Sequence, residues 1–379
     1  MQFVILAAGL GTRMMPLTAN RSKLMLPVAN KPFLEWNVDA LKDIGDVILV
    51  LRKDQKDIID HFKNCRIVYQ EEPLGTANAI ACCKDLIEDR FIVINGDEFI
   101  PKSDIEKFSR LDGYNIATFP GDSSRFGALT IDEDIVTGIA EKDANGTALI
   151  NAGMYMFEKS VFEAIEKTEL SGRGEYEITD SIRIMIENGV KIKAFRLSSW
   201  NTLGYPWDLL DINQALLKRT GSIIGDNVDI RPGSYIEHPV AIGDGSIIGP
   251  NCYIRKYSSI GKNCKVGNAV EIKNSIIMDN SFVSHLSYVG DSVVGSNCNI
   301  GAGTIFANLR LDDKNIKMVI KNEKIDSGMR KLGAFVGDNV KFGVNVTLMP
   351  GKKIWPDLLI PPCITIKEDL EKQPGFNNH

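Results

Sequence analysis

What this chain lacks narrows its function before any motif is read. It has seven cysteines, an odd number, and no C-x-x-C pair, so neither a disulfide framework nor a zinc site is indicated. No apolar run approaches the ~18 residues of a membrane span, and nothing at the N-terminus has the layout of a signal peptide. Positive charge is not in excess: the formal net charge is −5, which argues against a nucleic-acid footprint. The expectation is a cytoplasmic protein that meets neither nucleic acid nor membrane, with small molecules or other protein surfaces as partners. Its 379 residues suffice for two or three domains.

What is present is concentrated first in L-A-A-G-L-G-T-R-M-M-P-L-T-A-N-R-S-K-L-M-L-P-V-A-N-K-P, Leu6 to Pro32. It follows an apolar run, Phe3 to Ala7, that reads as a buried strand. Gly9 and Gly11 let backbone N–H groups approach a ligand's oxygens, and Arg13 and Lys23 supply the cationic charge that polyphosphate needs. A dinucleotide fingerprint would want a third glycine where Met14 stands, and a Walker loop would want Gly-Lys-Ser/Thr, which is absent.

Beyond this loop, strand-like runs at 47–51, 66–69, 91–95 and 115–119 alternate with amphipathic stretches at 33–43, 54–62 and 76–86. That alternation predicts a doubly wound α/β sheet with ligands at the carboxyl ends of its strands. In Y-Q-E-E-P-L-G-T-A-N-A-I, Gly75 permits a tight approach and Thr76 is placed to cap the following helix. Asp97 leaves a strongly apolar strand, either as a turn former or as a carboxylate presented to Mg²⁺. From Gly127 to Phe157 the pattern turns β-rich.

The second half is a repeat. Aliphatics recur every six residues from Ile224 through Ile230, Ile236, Ile242, Ile248, Ile254, Ile260 and Val266 to Ile272, with a small or β-branched residue two positions earlier each time. Both positions point inward in a strand of period two, and Cys252, Cys264 and Cys298 fall on the small ones. Glycines after the large residue, at Gly225, Gly243, Gly249, Gly261 and Gly267, read as corners at positive φ. A hexapeptide period of this kind predicts a parallel β-helix. The period returns from Val336 to Ile366. Between the two runs Met278 and Ser284 break it, Val283 and Val289 take it up one residue out of phase, Ile300 restores it, and Asn308 to Lys331 reads as an extruded loop.

The full string G-x-G-T-R, Pro16, Lys23 and V-A-N-K-P resembles the signature of sugar-1-phosphate nucleotidylyltransferases. E-I-K at 271–273, H-L-S-Y-V-G-D at 285–291 and N-I-G-A-G-T-I-F-A-N at 299–308 resemble the acetyltransferase half of bacterial bifunctional N-acetylglucosamine-1-phosphate uridylyltransferases. The resemblance implies an α/β doubly wound nucleotidyltransferase domain, 1–219, followed by a left-handed parallel β-helix acetyltransferase domain, 220–379.

It implies that Leu6, Ala8, Gly9, Gly11, Thr12, Gln70, Gly75 and Thr76 bind the nucleotide, with Arg13 and Lys23 catalytic. Glu141, Lys142, Asn151, Gly153 and Glu177 would bind the sugar phosphate. Asp97 would hold Mg²⁺; Thr202 stands where a second aspartate ligand is usual, leaving Asn201 or Asp208 to compensate, or Asp97 and the phosphates to hold the ion with more water. His285 would be the general base of N-acetylation, deprotonating a hexosamine 2-amino group. Arg255, Lys273, Tyr288, Asn299 and Asn308 would bind the acetyl acceptor, and the Ala302 N–H the acetyl-CoA thioester's oxyanion. A homotrimer or dimer of trimers is implied. The alternatives are a monofunctional nucleotidylyltransferase with an oligomerising β-helix and a non-catalytic regulatory subunit of the same architecture.

Overall fold

The computed structural model describes residues 1–123, 125–140 and 147–374. The chain divides into two compact units, one of Met1–Leu10 with Leu34–Thr202, the other joining Gly11–Phe33 to the chain from Leu203 onward.

The first unit is built on a nine-stranded sheet. Gln2–Leu6 lies parallel between Asp46–Leu51 and Phe91–Asn95, and Arg66–Tyr69 extends the parallel edge. Gln2–Leu6, Asp46–Leu51 and Phe91–Asn95 are largely buried, as their near-continuous V/I/L runs predict, whereas Arg66–Tyr69 at the outer position is partly exposed. Thr147–Phe157 then enters antiparallel between Phe91–Asn95 and Tyr114–Asp122, so the sheet is mixed rather than wholly parallel. The helices are shorter than the amphipathic stretches: Phe33–Leu41, Lys56–His61 and Thr76–Ala81.

The second unit contains the prism. Three seven-stranded parallel sheets form its sides, and the fold is a left-handed parallel β-helix. Ile242, Ile260, Ile277, Val294, Val336 and Ile354 stack in register along one wall, all buried. The small residues also point inward, and buried hydroxyls there are satisfied by the coils: Ser246 Oγ donates to the Gly261 carbonyl at 2.7 Å and accepts the Cys264 N–H at 2.9 Å. Ile224 and Ile230, in the first coil, stay 45% and 48% exposed although the period places them inward.

The corner glycines need correction. Of Gly225, Gly243, Gly249, Gly261 and Gly267, only Gly249 has positive φ. The left-handed corners are taken largely by asparagines, among them Asn227, Asn251, Asn263, Asn280, Asn297, Asn339 and Asn345. The glycines serve close stacking instead: a Cβ on Gly243 would lie 2.6 Å from the carbonyl carbon of Gly261 in the next coil.

The slip in the period has a simple cause. Ile272 to Ile277 and Val289 to Val294 advance by five residues rather than six, so the same corner is one residue short in each of two successive coils. The segment expected as a plain loop carries a hairpin, Lys317–Ile320 with Glu323–Asp326, whose Met318 and Ile320 are buried. No helix among the described residues is long and apolar enough to cross a membrane.

Candidate active sites

In the first unit, the parallel ladder brings several predicted residues to one sheet edge. The Ala7 N–H donates to Val50, the Gly96 N–H to Leu6 and the Gln70 N–H to Leu51, each within 2.9 Å. A Cβ on Gly9 would meet nothing within 4 Å. Two residues missed in the sequence hold this edge: Gln55 Nε2 donates to the Ala7 carbonyl at 2.9 Å, and Arg52 Nη1 to that of Ala8. No local motif marks them, because their role arises only from strand adjacency.

Gln70 is buried and donates through Nε2 to Gly75 O at 3.0 Å and Asn78 Oδ1 at 2.8 Å. Gly75, at φ +103°, lies against Tyr176, whose carbonyl oxygen a Cβ would meet at 2.5 Å. Thr76 does not cap its helix. It is that helix's first residue, and its hydroxyl accepts the Ile178 N–H at 3.0 Å.

Asp97 leaves the Phe91–Asn95 strand half-buried. Nearby, Gly153 has φ +71°, and a Cβ there would lie 2.6 Å from Asn95 Nδ2 and 2.8 Å from Glu98 Cγ. Asn151 Oδ1 accepts the Gly153 N–H at 3.1 Å. Glu177, buried, pairs with Arg173 at 2.7 Å. Thr202 lies opposite Glu98 in a short antiparallel pair that also joins Asn201 to Phe99. Glu141 and Lys142 lie outside the described residues.

In the second unit, Gly11 turns at φ +65° and packs against Lys23, while Thr18 Oγ1 donates to its carbonyl at 3.0 Å. Thr12 and Arg13 belong to a short 3-10 turn, and the Arg13 guanidinium lies 5.5 Å from the centre of the Tyr205 ring. Asp208 opens the helix Asp208–Thr220, and its Oδ2 accepts the N–H groups of Gly204 at 2.8 Å and Tyr205 at 2.7 Å. Among the described residues, no three His, Cys, Asp or Glu side chains are grouped to hold a metal. A Mg²⁺ ion bound here would therefore be carried mainly by phosphate oxygens and water, a ligand set this ion accepts.

On the prism, the two short corners stack, and the residues beside them form one polar cluster. Lys273 Nζ lies 2.6 Å from Asp291 Oδ2, with only 17% and 6% of the two side chains exposed. Asn274 Nδ2 donates to Asp291 Oδ1 at 2.9 Å. Asn308 Nδ2 donates to Tyr288 Oη at 3.0 Å and also to Asp291 Oδ2. A Cβ on Gly290 would strike both Tyr288 Oη and Asn308 Nδ2. Burial, then the Asp291 charge, raises the Tyr288 phenol above its ordinary value.

Asp291 organises this cluster, and in the sequence only the one-residue slip beside it marks the position. Arg255 pairs with Glu271 at 3.3 Å on the same wall, Glu271 sharing the strand Glu271–Lys273 with Lys273. His285 ends the strand Phe282–His285 with its side chain exposed. Its carbonyl accepts from Ser287 Oγ at 2.7 Å and the Gly303 N–H at 3.2 Å. Asn299 is exposed on the next coil of that wall, opposite Phe282, and the Ala302 carbonyl accepts the Asn345 N–H at 2.8 Å.

The family profile described as "Nucleotidyl transferase" matches residues 2–219, and one described as "GMPPB C-terminal domain" matches 236–357. A protein of Methanocaldococcus jannaschii named "Bifunctional protein GlmU" is 41% identical, the alignment covering 98% of this chain and 96% of that one. A Sulfurisphaera tokodaii protein named "Bifunctional sugar-1-phosphate nucleotidylyltransferase/acetyltransferase" is 36% identical, covering 98% of each. Among solved structures, a putative glucose-1-phosphate thymidylyltransferase from Bacillus anthracis, crystallised with sucrose, superposes with a TM-score of 0.50 at 28% identity. It covers 57% of this chain and 94% of its own.

Proposed function

We propose, for a chain that belongs to the nucleotidyl transferase family and, over its length, to the bifunctional sugar-1-phosphate nucleotidylyltransferase/acetyltransferases, that it carries out two successive steps of nucleotide-sugar synthesis. One step N-acetylates glucosamine- or galactosamine-1-phosphate from acetyl-CoA. The other joins a sugar-1-phosphate, glucose-1-phosphate or an N-acetylhexosamine-1-phosphate, to UTP or dTTP and releases pyrophosphate. We assign nucleotidyl transfer to residues 1–219 and acetyl transfer to 220–379.

In nucleotidyl transfer a sugar phosphate oxygen attacks the α-phosphorus in line, the bond to the bridging oxygen breaks, and pyrophosphate departs with its electron pair. Leu6, Ala8, Gly9, Gly11 and Thr12 line the nucleotide. Arg13 and Lys23 offset the charge that spreads over the phosphoryl oxygens. Gln70, Gly75 and Thr76 face the base. Glu141, Lys142, Asn151, Gly153 and Glu177 serve the sugar phosphate. A Mg²⁺ ion held by Asp97 would supply electrostatic stabilisation of the phosphates; Asp208 already has one carboxylate oxygen committed to its own turn.

In acetyl transfer His285 removes a proton from the 2-amino group as its nitrogen attacks the thioester carbon. The Ala302 N–H steadies the oxyanion. The carbon–sulfur bond then breaks, and the proton leaves with the thiolate as free thiol. Lys273, Tyr288, Asn299, Asn308 and Arg255 hold the acceptor.

The Lys273–Asp291–Asn308–Tyr288 cluster carries this reading over a monofunctional one, since a prism that only assembles subunits has no use for a buried ion pair on its flank. We further propose a homotrimer or dimer of trimers in the cytoplasm, where nucleoside triphosphates and acetyl-CoA are supplied. Incubation with each sugar-1-phosphate, UTP or dTTP and Mg²⁺, with and without acetyl-CoA, tests the whole. Pyrophosphate release and acceptor-dependent thiol release support it, and absence of thiol release with both hexosamine phosphates leaves the monofunctional reading.

A further inference from the structure

The V-A-N-K-P string has no part in the chemistry above, and its structure gives it another. Val28 and Lys31 close a two-residue hairpin turn with Ala29 at φ 46° and Asn30 at φ 63°. From this turn the Ala29 N–H donates to Asn213 Oδ1 at 2.8 Å, and Asn30 Nδ2 donates to the Ile260 carbonyl of the prism at 2.6 Å. Asn213, fully buried on the helix Asp208–Thr220, also donates to the Tyr257 carbonyl at 2.8 Å and accepts Ser259 Oγ at 2.6 Å. A buried amide whose two polar atoms are both engaged fixes its surroundings, because losing any partner strands a polar group away from water.

The same segment is held a second time. Arg21 Nη2 lies 2.6 Å from Asp338 Oδ2 and 3.1 Å from Ser296 Oγ, with 21% and 12% of the two charged side chains exposed. Asp338 is itself fixed, its Oδ1 accepting the Ser296 N–H at 2.8 Å. Lys23 lies between the two anchors in the chain, opening the 3-10 turn Lys23–Met25.

We infer that the prism is a working part of nucleotidyl transfer: through Asp338 on one side and Ile260 on the other, with Asn213 of the helix Asp208–Thr220 bridging loop and prism, it clamps the phosphate loop, making Arg21 and Asn30 positioning residues for Lys23. A lysine side chain carries about 2 kcal/mol of rotamer entropy, so its ammonium is placed only as well as its backbone is held. The kinetic consequence rests on the proposed nucleotidyl transfer; the clamp itself does not.

The test uses the full chain with Asp338→Ala, Asn30→Ala, and the charge exchange Arg21→Asp with Asp338→Arg. Pyrophosphate release, thiol release and hydrogen exchange of the peptide spanning 18–30 are followed. For Asp338→Ala and Asn30→Ala, kcat for pyrophosphate release is expected to fall about 10- to 100-fold, the scale on which slight misplacement of a catalytic group costs rate. KM for the sugar phosphate and thiol release are expected to stay within about twofold, since ground-state binding is untouched. Exchange in 18–30 is expected to quicken, and the charge exchange to restore part of both effects. Unchanged kcat with unchanged exchange overturns the inference, as does equal loss of both activities. If the unaltered protein releases no pyrophosphate, the functional reading fails and the exchange result alone decides the clamp.

Discussion

A Cβ placed on Gly11 would fall 2.8 Å from the Cβ of Lys23, and Gly11 holds φ +65° to make that approach. Two demands therefore converge on one glycine: a left-handed backbone and room for the lysine's stem. Gly11→Ala must satisfy both at once. We expect about 1–2 kcal/mol of backbone strain and a fall of about 100-fold in kcat for pyrophosphate release, with thiol release retained. Steady-state kinetics of both half-reactions check this, and full retention of pyrophosphate release would show that the approach is incidental.

Asp291 accepts from Lys273, Asn274 and Asn308 at the two shortened corners. Asp291→Asn keeps the shape and removes the charge. Losing a charge-assisted hydrogen bond of this kind costs about 1.5–3 kcal/mol, which urea titration reads as a lower midpoint. Thiol release is expected to fall steeply while pyrophosphate release is kept. Loss of neither would mean that Lys273 is held by packing alone.

Burial pushes the thiols of Cys83, Cys264 and Cys298 up to about 12 from the ordinary 9.0. The sign follows from proton counting. Between those values the unfolded chain has released these protons and the folded chain retains them, so stability falls as pH rises. Stability from these groups is full below pH 9 and is lost progressively up to about pH 12, by as much as about 1.4 kcal/mol per pH unit for each thiol. Denaturant midpoints at pH 8, 9.5 and 11 are expected to fall in order, with a shallower slope in Cys264→Ala. A slope identical in Cys264→Ala would contradict the assignment for that thiol.

The prism was legible in sequence because every coil repeats one local rule: an aliphatic that must be buried, six residues from the next. The walls at Ile242, Ile260 and Ile354 follow it directly. Asp291 was not legible as an organiser, because Gly-Asp reads as an ordinary turn and its partners come from coils 17 or 18 residues away. The same holds for Arg52 and Gln55, whose targets, the carbonyls of Ala8 and Ala7, become neighbours only when two parallel strands pair. Corner glycines misled for the opposite reason: a glycine answers equally to positive φ and to close approach, and the six-residue spacing cannot tell these apart. Thr76 misled similarly, since a threonine before an apolar run reads as a cap, whereas its hydroxyl serves the distant Ile178 N–H.

Two chemically separate sites on one chain can be parted by a single substitution, and His285→Ala in the whole 379-residue chain tests that most directly. His285 is exposed and lies outside the Lys273–Asp291 cluster's hydrogen bonds, so the fold is expected to survive its loss. With both reactions followed on the same sample, the account predicts that free-thiol release from acetyl-CoA is abolished while pyrophosphate release proceeds at the unaltered rate. Simultaneous loss of both in a folded variant, or undiminished thiol release, would contradict it.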